Sequence, residues 1–163
     1  MQHENLDVQD NLSMKMGKSF DFQLNIDVNM HIQLFDENGK LKDERILHNT
    51  VTTAGKNGIA DQILAAPSLA KIGWCALGTG TPGATLLGAE VARVVFDSKT
   101  RSGAVITTIT TFPAGTGTGA ITEEGLFDVV TANTVNMWAS SSFSVVNKGA
   151  ADSIIVTHTI TVS

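Results

Sequence analysis

The stretch of sequence that decides the fold is Phe20-Asp21-Phe22-Gln23-Leu24-Asn25-Ile26-Asp27-Val28-Asn29-Met30-His31-Ile32-Gln33-Leu34, in which apolar and polar residues alternate without a break. Successive side chains of a β-strand point to opposite faces, so a strand places every apolar residue of this run on one side. A helix would distribute the same residues around its circumference. The run therefore predicts a long strand with one buried face.

The next segment predicts the partner of this strand. Asp36-Glu37-Asn38-Gly39 contains Asn-Gly, the strongest hairpin dipeptide. We expect residues 40–51 to return antiparallel to the first strand.

One helix is predicted, from Thr53 to Ala65, before Pro67 ends it. Thr53 would cap its first turn. Two glycines weaken the segment, which indicates a short helix. Its buried stripe is predicted to consist of Ile59, Ile63 and Leu64.

The remaining sequence reads as short strands separated by turn signals. Glu90–Asp97 and Gly103–Phe112 are predicted to form a hairpin joined by a polar connection over 98–102. Further strands are predicted at 72–77, 121–130, 134–145 and 153–163, with a Gly/Thr loop at 113–119 and a turn at 147–149. This pattern predicts an antiparallel β-sandwich or jelly-roll-like domain over residues 20–163, with one short helix, preceded by an extended polar arm over residues 1–19.

Composition restricts the classes of function. The chain has 163 residues and a formal net charge of −5, with only 17% charged residues and no basic run. A nucleic-acid or anionic-membrane partner would require a positive surface, so neither is expected. Cys75 is the only cysteine, which rules out a disulfide within the chain. No apolar run reaches the length of a membrane span, and the polar start is unlike a secretory signal.

A glycine run offers the most prominent motif. Gly78-Thr79-Gly80-Thr81-Pro82-Gly83 fits the dinucleotide pattern G-x-G-x-x-G, and Asp97 lies near the spacing of a ribose carboxylate. A dinucleotide site also needs a following long helix and a parallel strand, and β-type alternation follows here instead. We therefore predict a loop with glycines at positive φ, and no cofactor.

Other reactive residues form no catalytic or metal-binding pattern in the sequence. The histidines lack ligand spacing, and His158 lies on an apolar strand face typical of a core or interface position. Cys75 lies in an apolar run that indicates a core thiol. Glu123 and Glu124 should point to opposite faces, so they would not share a site. We predict a structural ion pair of Glu123 with Arg93, with Lys148 as the alternative partner.

The order of several segments carries a resemblance. These are His48–Asp61, Ala76–Thr81, Leu87–Glu90 with Arg93, Ile121–Asp128, Met137–Ala139 and Asn147–Val162. In this order the chain resembles a family of small tailed-bacteriophage virion proteins described as structural, head-decoration or tail-associated. The likeness extends from about Ile32 to the C-terminus, and in that family the segment matching 77–81 is a loop of a β fold.

The resemblance implies a non-enzymatic structural protein of the virion, assembled in the host cytoplasm. Our first expectation is a capsid decoration or cement protein that binds the major capsid protein and copies of itself, for instance as a trimer. Phe20, Phe22, Leu24 and Ile26 are the candidate partner contacts, together with the arm. The alternatives are a tail, collar or fibre-attachment component, and a carbohydrate- or ligand-binding β-sandwich module.

Overall fold

The computed structural model describes residues 25–64, 66–67 and 70–163. The predicted arm over residues 1–19 and the candidate contacts Phe20, Phe22 and Leu24 lie outside these residues. The described elements are β1 (Ile26–Phe35), β2 (Leu41–Val51), α1 (Thr53–Asp61), β3 (Trp74–Gly78), β4 (Glu90–Val95), β5 (Ser98–Ser102), β6 (Val105–Phe112), β7 (Gly119–Phe127), β8 (Met137–Lys148) and β9 (Ser153–Val162).

The strands form one curled antiparallel sheet in the order β4-β3-β7-β8-β2-β1-β9-β6-β5. Strand β2 pairs along most of its length with β1, and its last residues Thr50 and Val51 pair with β8. It thereby joins a half made of β1, β9, β6 and β5 to a half made of β8, β7, β3 and β4. Apolar residues from both halves share one core. The predicted mostly β, sandwich-like fold with one short helix is confirmed.

The opening hairpin follows the sequence pattern closely. Val28, Met30, Ile32 and Leu34 of β1 are all buried. Each such side chain contributes about 1.5–3 kcal/mol by leaving water. Gly39 has a φ of +76°, a left-handed conformation in which glycine carries no Cβ penalty. The alternation therefore predicted both the strand and the face that it buries.

The helix differs from its prediction. Thr52 rather than Thr53 is the cap, and its hydroxyl accepts a hydrogen bond from Gly55 N at 3.0 Å. Ile63 and Leu64 lie beyond the helix and are 82% and 60% exposed, so the predicted buried stripe is wrong at both positions.

Glycines form the buried side of α1 instead. Ile59 of the predicted stripe is partly buried against the core, and the helix residues that are buried are Gly55 and Gly58. A Cβ on Gly55 would lie 2.8 Å from the Trp138 carbonyl carbon, and one on Gly58 would lie 2.6 Å from Trp138 Cζ2. The helix packs so closely on Trp138 of β8 that a side chain at either glycine position would overlap it. The glycines that weaken the helix locally therefore allow its tertiary packing.

The predicted hairpin of Glu90–Asp97 with Gly103–Phe112 is also wrong. Residues 98–102 are themselves strand β5, which pairs with β6 across a turn at Gly103, while β4 pairs with β3 in the other half. The side chains of β5 are mostly exposed. A polar edge strand has no apolar alternation, which explains why this segment resembled a loop in the sequence.

Candidate functional site

The glycine-rich loop between β3 and β4 surrounds a carboxylate of the protein itself. Glu123 of β7 is fully buried. Its Oε1 accepts hydrogen bonds from Gly80 N at 2.9 Å and Ala89 N at 2.7 Å, and its Oε2 accepts one from Gly88 N at 2.8 Å. Converging backbone N–H groups are the device by which phosphate loops hold anions. Here those three donors are engaged by Glu123.

The loop glycines are required by close approach rather than by positive φ. Glycines with positive φ lie at residues 39, 103, 115, 117 and 119, so the positive-φ prediction for Gly78, Gly80 and Gly83 is wrong. A Cβ on Gly78 would lie 2.7 Å from both the Ala89 carbonyl oxygen and Glu123 Cγ. The absence of a side chain allows the loop to reach the carboxylate.

The predicted ion pair of Glu123 with Arg93 does not form. Arg93 binds Glu90 through two contacts, Nε to Oε1 at 2.9 Å and Nη2 to Oε2 at 2.7 Å. Strand β3 lies between β4, which carries Arg93, and β7, which carries Glu123. The alternative partner Lys148 instead donates to carbonyl oxygens of Pro113 and Asp152.

The Arg93–Glu90 pair fixes the loop that follows β7. Both side chains are only 1% exposed, and the guanidinium lies 3.6 Å from the centre of the Phe127 ring. Arg93 Nη1 donates to the Val129 carbonyl at 3.0 Å, and Glu90 Oε2 accepts from Asn133 N at 3.0 Å. Planar bidentate pairing of this kind is specific to arginine. The pair thus connects β4 to the 128–134 segment.

Asp152 plays the same part in the turn between β8 and β9. Its Oδ2 accepts from Lys42 Nζ at 2.6 Å and from Gly149 N at 2.8 Å. These two hydrogen bonds favour the charged form and lower the pKa of Asp152. Burial lowers the pKa of the neighbouring Lys148.

Cys75, Glu124 and His158 form a buried polar cluster in the core. All three side chains are 0% exposed. The Cys75 thiol donates to Glu124 Oε1 at 3.4 Å, and Asn49 Nδ2 donates to Glu124 Oε2 at 2.8 Å. His158 Nε2 lies 3.0 Å from Glu124 Oε1, and its Nδ1 lies 3.4 Å from Thr108 Oγ1. The cluster joins β3 and β7 of one half to β9 and β6 of the other.

Burial determines what this cluster can do chemically. It raises the pKa of Cys75 well above its ordinary value, and the adjacent Glu124 charge raises it further. A protonated, enclosed thiol is a poor nucleophile towards an outside substrate. The three side chains nevertheless supply sulfur, oxygen and nitrogen donors within 4.8 Å of one another. Sequence spacing could not have revealed this group, because its members come from three separate strands.

The surface carries a hydroxyl-rich cavity of about 520 Å³. Threonines of β2 and the start of α1 form one wall, and Ser140–Ser142 of β8 form another. Thr81 to Ala84 of the glycine-rich loop and His48 complete the lining. Hydroxyl groups both donate and accept hydrogen bonds, so this surface suits a polar, uncharged ligand.

A second cavity, of about 670 Å³, is mostly apolar. Ile26, Ile72 and Trp138 contribute to its lining, while Lys71, Lys99 and Arg101 add positive charge. Ile26 is also partly buried against the chain's own core. Ile26 is one of the predicted partner contacts, and only the exposed part of its side chain can therefore contact another molecule.

Several residues lie where the sequence placed them. His158 and Cys75 are core residues, and the neighbours Glu123 and Glu124 bind different partners on opposite faces. Both predictions are confirmed.

Comparison of the chain with protein-family models, with curated proteins and with solved structures gave no match. Within the described residues, no helix is long and apolar enough to cross a membrane.

Proposed function

We propose that this chain is a non-enzymatic structural protein of a phage virion, and more specifically a capsid decoration or cement protein. It would bind the capsid lattice and copies of itself through strand faces and its N-terminal segment. What carries the proposal is the order of segments in the sequence, which resembles the order in that family. In the fold these segments include all of α1 and β9, most of β7, and parts of β2, β3, β4 and β8.

The use of the buried ionisable groups supports a structural role. Among the described residues, Glu123, the Arg93–Glu90 pair and the Lys148–Asp152 group each fix a loop or turn by binding its backbone. Burial of charge is costly and is offset here by hydrogen bonds to the backbone. Loops held in this way present a fixed surface, which suits a protein that repeats the same contact on a lattice.

Exposed apolar residues next to α1 supply candidate contacts. Ile63 and Leu64 form a pair at 82% and 60% exposure, and Ile46 on β2 is 76% exposed. Exposed apolar residues that lie next to one another are candidates for a contact surface. We therefore add Ile63 and Leu64 to the candidate partner contacts Phe20, Phe22, Leu24 and Ile26.

The abundance of the chain in purified particles tests this function. A decoration protein should be present in fixed proportion to the major capsid protein, measured by quantitative mass spectrometry of heads and tails purified separately. Recovery with tails alone would favour a tail, collar or fibre-attachment component. Absence from both fractions would contradict a virion role.

Particle binding by variants tests the contacts. A chain lacking Met1–Ser19, and the double variant Ile63→Ser with Leu64→Ser, should remain folded and bind undecorated heads more weakly. Val145→Ser is the control, because Val145 is an exposed apolar residue that lies well along β8 from Trp138, the residue against which α1 packs. Unchanged binding by both test variants would refute the proposed contacts. It would not refute the virion role itself, which the abundance experiment tests separately.

The hydroxyl-rich cavity favours a second candidate function, a carbohydrate-binding module. Its lining combines threonine and serine hydroxyls with His48 and Pro82. Binding of the isolated protein to a glycan array would support this alternative, provided that Ser142→Val removes the signal. If the protein binds no glycan on the array, the carbohydrate-binding alternative is contradicted.

A further inference from the structure

The core cluster has the composition of a metal site. Cys75, Glu124 and His158 each offer one donor atom, and these atoms lie within 4.8 Å of one another. The Sγ–Oε1 distance is 3.4 Å and the Nε2–Oε1 distance is 3.0 Å. Tetrahedral zinc with bonds of about 2.0–2.3 Å requires donors about 3.3–3.7 Å apart. The Sγ–Oε1 distance lies within this range and the Nε2–Oε1 distance is slightly short of it, while Sγ and Nε2 lie within 4.8 Å of each other.

An unpartnered nitrogen is the second, independent observation. His158 Nε2 is fully enclosed, and despite its 3.0 Å approach to Glu124 it makes no hydrogen bond. A buried polar atom without a hydrogen bond destabilises the fold and calls for an explanation. A cation between the nitrogen and the carboxylate would satisfy both atoms at once.

The surrounding residues fit the outer shell of a metal site. In the tautomer that leaves the Nε2 lone pair free, Nδ1–H of His158 donates to Thr108 Oγ1, 3.4 Å away. Asn49 Nδ2 holds the other carboxylate oxygen of Glu124 at 2.8 Å. Ligating histidines and carboxylates in proteins are oriented by hydrogen bonds of this kind.

We propose that Cys75, Glu124 and His158 bind a divalent transition-metal ion, with Zn²⁺ the best fit to a sulfur, oxygen and nitrogen donor set. On binding, the Cys75 S–H bond breaks, its proton leaves to solvent and the thiolate sulfur bonds to the metal. Thiolate and carboxylate then balance the 2+ charge, and the imidazole stays neutral. A neutral assembly is what an apolar core accommodates best.

The ion would cross-link the two halves of the curled sheet. Cys75 and Glu124 lie on β3 and β7, whereas His158 lies on β9 of the opposite half. A chain with one cysteine can form no disulfide within itself, so a metal is the strong core cross-link open to it. Because the ligands are enclosed, the ion would enter during folding.

Refolding the full chain with cobalt tests the site directly. The denatured, reduced chain is refolded with equimolar Co²⁺, which reports its ligands by absorption. We expect a near-ultraviolet thiolate-to-cobalt charge-transfer band. Since Cys75 is the only cysteine, this band can come from no other residue of the chain. Refolding with Zn²⁺ should leave equimolar zinc after dialysis and raise the melting temperature by about 5–10 °C over the EDTA-treated protein.

Variants locate the ion. Glu124→Gln and Cys75→Ser should each lose the charge-transfer band. His31→Gln is the matched control, since His31 forms an exposed pair with Glu44 at 3.2 Å and should leave the band unchanged. A wild-type chain that refolds without retaining either metal, or that binds cobalt without the thiolate band, would overturn the proposal. Because metal binding is measured on the wild-type chain, the proposal can be refuted even if a variant fails to fold.

Discussion

Glu123 and Glu124 are neighbours in the chain and equally buried, yet they serve different regions of the molecule. Glu123 faces the loop between β3 and β4 and accepts three backbone hydrogen bonds. Glu124 faces the core and meets the side chains of Cys75, Asn49 and His158. The first carboxylate is saturated by fixed donors, while the second lies beside an unpartnered nitrogen. The same residue type thus organises a loop on one face and a cluster of metal-type donors on the other.

The largest expected effect is that of Glu123→Gln. An amide oxygen can replace Oε1, but the NH₂ group would then face the Gly88 N–H in place of Oε2. Loss of the charge weakens the hydrogen bonds that remain. We expect the free energy of unfolding to fall by about 3 kcal/mol, measured by urea denaturation. A loss below about 1 kcal/mol would mean that Glu123 does not organise the loop.

Gly78→Ala tests the same region from the loop side. A Cβ there would lie 2.7 Å from the Ala89 carbonyl oxygen and from Glu123 Cγ, so the carboxylate and the loop must move apart. We expect a loss of about 2 kcal/mol in chemical denaturation. Gly73→Ala is the control, because the nearest atom to its Cβ would be the Lys71 carbonyl oxygen at 4.0 Å. Equal losses in the two variants would contradict this account of the loop.

Glu124→Gln in the metal-free protein should have a smaller effect than Glu123→Gln. Its amide oxygen can still accept from Asn49, and its NH₂ group can donate to the unpartnered His158 nitrogen. The Cys75 thiol loses its acceptor, but a thiol is a weak donor, so this loss is small. We expect a change within about 1 kcal/mol, measured with EDTA present. If Glu124→Gln lowered the free energy of unfolding as much as Glu123→Gln does, the two carboxylates would not differ in their structural roles.

The smallest effect is expected in acid, at the turn between β8 and β9. The folded-state pKa of Asp152 is lowered by Lys42 and Gly149 from an ordinary value of 3.8. Its contribution to stability is therefore present above pH 3.8 and is lost as pH falls through the lower, folded-state value. Asp152→Asn should weaken the dependence of unfolding free energy on pH below this point. A dependence identical to that of the wild type would exclude Asp152 as its source.

Local patterns in the sequence predicted the parts of the fold that local forces determine. The alternation from Ile26 to Leu34 and the Asn38-Gly39 turn specify the hairpin through strand periodicity and backbone conformation. The buried positions of Cys75 and His158 follow from the apolar residues around them. These features need no knowledge of the rest of the chain.

The remaining features depend on which elements meet in three dimensions. Gly58 reads as a helix-weakening residue until Trp138 is known to pack against it. Arg93 and Glu123 have opposite charges but lie on strands separated by β3. The cluster of Cys75, Glu124 and His158 joins residues far apart in the chain, so no spacing rule could have found it.

The most direct test of the central contrast is amide hydrogen exchange at Gly80, Gly88 and Ala89, measured by NMR in the wild type and in Glu123→Gln. Gly88 and Ala89 are exposed residues in a loop, where amides normally exchange quickly. Because all three amides donate to a buried carboxylate, we predict slow exchange in the wild type and much faster exchange in the variant, with the core strands unaffected. Fast exchange of these amides in the wild type would contradict the assignment of Glu123 as the anion that organises this loop.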